Sequence, residues 1–172
     1  MCRRIVPVIL LISYLFFSCK KNDVNTGKDS AQNNNSPAVV YNVNKTAILK
    51  LVNDVRAKGC TCGTTTMPPV SPVVWNDQLA KAAYDHSADM NTNNYFSHTG
   101  LDGSDPGQRI TAAGYSWSSW GENIANGYTT EQAVMSGWLS SEGHCKNIMS
   151  AGYRDMGVGR YGNYWTQDFG SK

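Results

Sequence analysis

Charge is scarce in this sequence. Only 16% of its 172 residues are Asp, Glu, Lys or Arg, and the formal net charge is +2. That excludes the dense basic face with which nucleic-acid binders meet phosphates. Histidine is scarcer still, with three copies at positions 86, 98 and 144. The one long apolar run, residues 5–17, has 13 residues, against about 20 for an ordinary membrane-spanning helix. There is no internal repeat, no nucleotide-binding glycine loop and no nucleophile elbow. What remains is a length sufficient for one domain with a real core. It is rich in turn formers and, with five Trp and nine Tyr, in aromatics.

The start of the chain reads as an export signal. Arg3 and Arg4 precede the apolar run, and Ser18-Cys19 follows it. A small residue before cysteine at the end of such a run resembles a bacterial lipobox. The expectation is therefore a signal peptide over residues 1–18, lipidation of Cys19 and attachment to a membrane through it. An ordinary secretory signal or an uncleaved anchor is the alternative. Removing residues 1–18 takes away two arginines and no acid, which leaves 13 basic and 13 acidic residues. Residues 19–42, with Asn33-Asn34-Asn35 and little apolar content, read as a disordered tether. The folded domain is expected over residues 43–172, exported, in the cell envelope or secreted, and monomeric.

Export implies an oxidising compartment, where disulfides persist. Cys2 leaves with the signal and Cys19 carries the lipid, so Cys60, Cys62 and Cys145 remain. Cys60 and Cys62 sit too close together for an easy bridge. Cys145 is expected to pair with one of them, Cys62 being favoured and Cys60 the alternative. A zinc site of these cysteines with His144 is disfavoured, because Cys-x-Cys lacks the usual zinc spacing.

The periodicity predicts a helix over residues 43–58, capped by Asn44 and ended by Gly59. A second helix begins after Asn76, with Leu79, Ala82, Ala83, His86 and Met90 on one face. His86 thus lies on an apolar stripe and reads as a core histidine with a satisfied hydrogen bond. Residues 91–107 read as a loop carrying Phe96-Ser97-His98-Thr99. Asp105-Pro106 opens a short helix that ends near Gly114. Residues 115–125 alternate as a strand, with Trp120, Glu122 and Ile124 on one face. Thr129 and Gln132 fit a capping box. The helix they open is expected to stop by Gly143, with a loop over residues 147–155. Residues 156–161 and 164–169 form a hairpin about Gly162-Asn163. Such irregular alternation predicts an α+β layered domain.

The order Phe96-Ser97-His98, Gly121-Glu122-Asn123-Ile124-Ala125, Trp138, Gly143-His144, Asn147-Ile148-Met149, Gly157-Val158-Gly159 and Tyr164 to Phe169 resembles the CAP superfamily. This is the group of cysteine-rich secretory proteins, antigen 5 and pathogenesis-related 1 proteins, also called SCP domains. Each motif alone is weak; together, in this order, they are specific. The resemblance covers residues 44–170. It implies a three-layer α-β-α sandwich with a central antiparallel sheet, and a surface cleft holding two histidines and acidic side chains. Carried over, these are His98, His144 and Glu122. In long eukaryotic members a second acid falls three residues after the helix tryptophan. That position here is Ser141, so Glu142, one place further on, becomes the candidate.

Two neutral imidazoles, His98 and His144, suit zinc or another divalent metal, with Glu122 or Glu142 fixing a tautomer or orienting water. Asn123 and Trp138 read as structural, one holding the cleft in shape and the other anchoring a helix. The function implied is ligand binding without catalysis, the ligand being a metal ion, a lipid or an envelope partner. A metal-assisted secreted hydrolase, or a purely structural surface module, is the alternative.

Overall fold

A computed structural model describes residues 41–172. The predicted signal, Cys19 and all but the last two residues of the tether lie outside the described residues. Those last two belong with the domain. The Tyr41 hydroxyl donates to the carbonyl of Asp77 at 3.0 Å, and its own carbonyl accepts from the Arg160 amide at 2.9 Å.

Helix α1 spans Lys45–Lys58. It starts where the Asn44 side chain accepts from the Ala47 amide, and it ends at Gly59, whose φ of 75° suits a residue without a Cβ. A small hairpin follows, β1 Cys60–Cys62 paired with β2 Thr65–Met67. Strand β3 is Val74–Trp75, and α2 runs over Asp77–Thr92 from an Asn76 cap. Helix α3, Pro106–Ala112, has a full capping box between Asp105 and Gln108.

Strand β4 covers Ser119–Asn126, so the predicted strand begins four residues late. Ser118 donates its amide to Ser171 as the chain enters the strand. Tyr115 instead packs inward, its hydroxyl bonded to Asp155 at 2.6 Å. Helix α4, Glu131–Ser140, is capped by Thr130 rather than Thr129. The chain then bends at Ser141 and resumes as α5, Glu142–Ile148. His144 is therefore helical, and the helical run extends past its expected end at Gly143. The closing hairpin is β5 Asp155–Tyr161 and β6 Tyr164–Ser171, about Gly162 with φ of 58°.

The main sheet has the order β3-β5-β6-β4. The β5–β6 and β4–β6 pairs are antiparallel, as expected, but the two-residue β3 joins β5 in parallel. The edge pairing is parallel because the chain returns to it after a long excursion instead of through a hairpin. Sheet residues alternate between two helical layers. On one face lie Trp165, Phe169, Met156 and Val158, packed with Ile48 and Val52 of α1, Trp138 of α4 and Ile148 of α5. On the other lies α2, pressed so close that a Cβ on Gly157 would come within 2.6 Å of Ala80 Cα. These are the three layers of an α-β-α sandwich. No helix among the described residues is long and apolar enough to cross a membrane.

Candidate functional site

The centre of the site is Glu122 on β4. Its side chain is only 1% exposed, and both of its oxygens are engaged. Oε1 accepts from His98 Nδ1 at 2.6 Å, and Oε2 accepts from Arg109 Nη2 at 2.7 Å. A buried carboxylate needs such partners to offset its lost hydration. Arg109 projects from α3 and also binds the carbonyls of His98 at 2.9 Å and Ser104 at 2.9 Å. One guanidinium therefore fixes both the carboxylate and the loop that carries His98. With Nδ1 donating to Glu122, the other ring nitrogen of His98, on a half-exposed side chain, is the one that carries the lone pair whenever the ring is neutral.

The opposite wall is α5. Asn123 is fully buried and donates to the His144 carbonyl at 3.2 Å and to Gln167 Oε1 at 2.9 Å. Asn147 donates to the Glu122 carbonyl at 3.1 Å and to Asn123 Oδ1 at 2.9 Å. Both asparagines thus tie β4 to α5. Between the walls is a cavity of about 340 Å³ lined by His98, Trp120, Glu122, Asn147 and Tyr153.

His144 is half-buried. Burial, and next the charge of His98, push its imidazole down from the ordinary histidine value. Glu142 faces elsewhere. It accepts from Lys146 Nζ at 2.6 Å on an exposed face, and its carboxylate covers Gly63 in the β1–β2 turn. No hydrogen bond joins it to His98, Glu122 or His144 among the described residues. The structure therefore joins His98 to Glu122, stands His144 on α5, the helix tied to β4 through Asn123 and Asn147, and turns Glu142 toward the hairpin.

Trp138 is buried in the core between the sheet and α1. His86 is also buried; its Nε2 donates to the Ser97 carbonyl at 2.9 Å, while Nδ1 has no partner among the described residues. Burial pushes this imidazole down too. The core reading of His86 fits that burial, with only one of its two ring nitrogens satisfied.

Arg109 and Asp168 were missed by the sequence reading. Asp168 pairs with Glu122 across the strands and is buried. Burial, followed by the neighbouring Glu122 charge, raises its carboxyl well above the usual carboxylate range, and Arg109 opposes this only in part. Asp168 thus stands behind Glu122 in the same buried site. The available signal was a carboxylate at an inward position of a strand; for Arg109 it was the lone cation of a capped short helix.

Depressed histidines have a definite consequence for stability. His86 and His144 bind protons more tightly in the unfolded chain, so their contribution is present above about pH 6.5 and is lost as the pH falls through their folded values. NMR titration of the metal-free protein is expected to place the His144 imidazole below 6.5. His98→Ala should move it upward by removing the second cause. A His144 value that ignores His98→Ala would show the rings to be uncoupled.

The sulfurs of Cys60, Cys62 and Cys145 lie within 4.8 Å of one another, close enough for a soft metal ion to bridge them as thiolates. Cys62 and Cys145 are, however, joined as a disulfide, with Cα atoms 5.5 Å apart, and Cys60 is free. In this state two of the three sulfurs are not thiolates.

Residues 49–169 match the model of the cysteine-rich secretory protein family, CAP. The chain is 35% identical over 122 residues to the uncharacterized membrane protein YlbC of Bacillus subtilis, covering 71% of this chain and 33% of that protein. It is 37% identical over 102 residues to the uncharacterized protein YkwD of the same organism, covering 58% and 40%. It therefore spans well under half the length of these relatives. Among solved structures, an extracellular SCP-domain protein from Bacillus anthracis superposes with a TM-score of 0.67 at 34% identity, over 74% of this chain and 40% of that one. An outer surface protein of Borrelia burgdorferi gives 0.64 at 21% identity, over 74% and 91%, a likeness of fold alone.

Proposed function

The chain belongs to the cysteine-rich secretory protein (CAP) family, and on that footing we propose that it is an extracellular binding module whose cleft takes a divalent metal ion such as zinc. The observation that carries this reading is the clamp on His98. Glu122 accepts from Nδ1 at 2.6 Å and is itself held by Arg109, so the remaining ring nitrogen is oriented as a donor to a metal. His144 supplies the second imidazole, and its depressed pKa keeps it neutral, the form that ligates. Both Glu122 oxygens are occupied, which makes it an orienting group and not a ligand.

Two protein ligands make a weak, open site, with water or an incoming group in the other positions. A bound ion would supply Lewis acidity there, while this chain's own residues hold the imidazoles and exclude competing orientations. The likeness to a Bacillus anthracis protein described as extracellular supports placing the cleft outside the cell.

Calorimetric titration of the oxidised protein with zinc tests the proposal. Wild type is expected to take up one ion. His98→Ala and His144→Ala should each abolish uptake, and Glu122→Gln should weaken it by about 10–100-fold. Uptake that survives in the double histidine variant would place the metal elsewhere and end this reading.

A further inference from the structure

The disulfide leaves one sulfur over, and that sulfur is not remote. Cys60 Sγ lies 3.6 Å from Cys145 Sγ and 3.8 Å from Cys62 Sγ. Cys60 and Cys62 are two residues apart on β1, so their side chains leave the same face of the strand. Both are aimed at Cys145. The bridged sulfurs belong to residues that are 0% and 1% exposed, whereas Cys60 is half-buried. A dissolved thiol cannot reach the bridge directly, but it can reach Cys60.

We propose that Cys60 is a thiol–disulfide exchange site, through which small thiols and disulfides in the surroundings open and re-form the buried Cys62–Cys145 bridge. In the internal step the Cys60 thiolate attacks Cys145 Sγ. The Cys60–Cys145 bond forms and the Cys62–Cys145 bond breaks. Cys62 leaves as a thiolate and takes up the proton that Cys60 gave away, so no electrons are gained or lost. The bridge now has a solvent-accessible end. An external thiolate attacks Cys60 Sγ, forming a mixed disulfide and releasing Cys145 as a thiolate. A second external thiol displaces the first as a small disulfide and returns Cys60 to the thiol. Two external thiols have then been oxidised and one protein bridge reduced. The reverse sequence, begun by a small disulfide at Cys60 of the reduced protein, closes the bridge.

Attack on Cys145 is favoured over attack on Cys62. The latter would join two cysteines about 6.6 Å apart along an extended strand, at the far limit of disulfide geometry. The near-equal distances set Cys60 Sγ beside the bond and not along its axis, so alignment needs rotation about the Cys60 Cα–Cβ bond.

The test uses the full oxidised chain, folded, with chelator present and excess dithiothreitol at about pH 8, near the ordinary thiol pKa. Samples are acid-quenched and the bridge is counted by peptide mapping. Cys60→Ser, close in size and leaving the bridge intact, is expected to slow bridge reduction at least tenfold at unchanged thermal midpoint. Equal rates in wild type and Cys60→Ser would overturn the proposal. Separately, Cys62→Ser oxidised with glutathione disulfide should yield a Cys60–Cys145 peptide. A folded Cys62→Ser protein without that peptide would equally overturn it, and if this variant does not fold, the rate comparison decides alone.

Discussion

Cys145→Ala is expected to lower the unfolding free energy by about 3–5 kcal/mol. The bridge it removes spans 83 residues, from the β1–β2 hairpin to α5. Closing a loop of that size in the unfolded chain is worth about 4–5 kcal/mol on the chain-entropy model. The native state carries the constraint at little cost, because both sulfurs are packed into the main core beside Trp138 and Ile148. Cys145 is the residue to change, since it is common to both possible pairings, and Cys60 stands ready to replace Cys62. Urea unfolding without reductant measures the effect. A loss below about 1 kcal/mol, under the usual range for a native bridge, would mean that the hairpin is held by packing alone.

Arg56→Met should cost about as much, roughly 3–5 kcal/mol, by a different mechanism. Arg56 is fully buried on α1 and has no carboxylate partner among the described residues. Its guanidinium donates instead to four carbonyls: Ser71 at 2.9 Å, Ile148 at 2.7 Å, Ser150 at 3.0 Å and Tyr153 at 3.3 Å. Burial pushes it down from the ordinary arginine value, yet arginine stays charged in proteins. Three of the four carbonyls belong to the segment leaving α5, where a helix end exposes acceptors that need donors. Methionine fills the volume but leaves those acceptors dry and unpaired. Lysine, a point charge without the planar fork, should recover only part of the loss. Denaturant midpoints of the two variants check this. If Arg56→Met unfolds with wild type, water must already satisfy those carbonyls.

These two effects meet at the site. The bridge fixes the middle of α5, and Arg56 fixes its exit. Between them stands Asn147, whose side chain meets the Glu122 carbonyl. The cleft is thus positioned by features lying on the other side of the sheet from Glu122 itself.

Much of the fold was legible because it is written in local chemistry. Asn44, Asn76 and the Asp105–Gln108 box cap the helices where their side chains demanded. Gly162-Asn163 turns the hairpin, and the alternation of Trp120, Glu122 and Ile124 is the alternation of β4. Where the reading slipped, the cause was non-local. Tyr115 and Trp117 alternate like a strand, but nothing pairs with them until Ser118 meets Ser171. The helical run past Gly143 persists because α5 is anchored by the bridge, by Arg56 and by Asn123, all distant in sequence.

Read alone, the chain already reveals the class of the domain, the starts of its helices and its closing hairpin. Periodicity and capping act over a few residues, so one chain segment carries all the information they need. Only the tertiary fold settled that Glu122 is shared between His98 and Arg109, that Glu142 turns to Lys146, and that Asp168 is buried across the strands from Glu122. It also decided that three sulfurs converge while only two are bonded. Each of these is a choice between partners equally available in sequence. Burial makes the choice, because an unpaired charge or donor costs little in water and a great deal once the layers close over it.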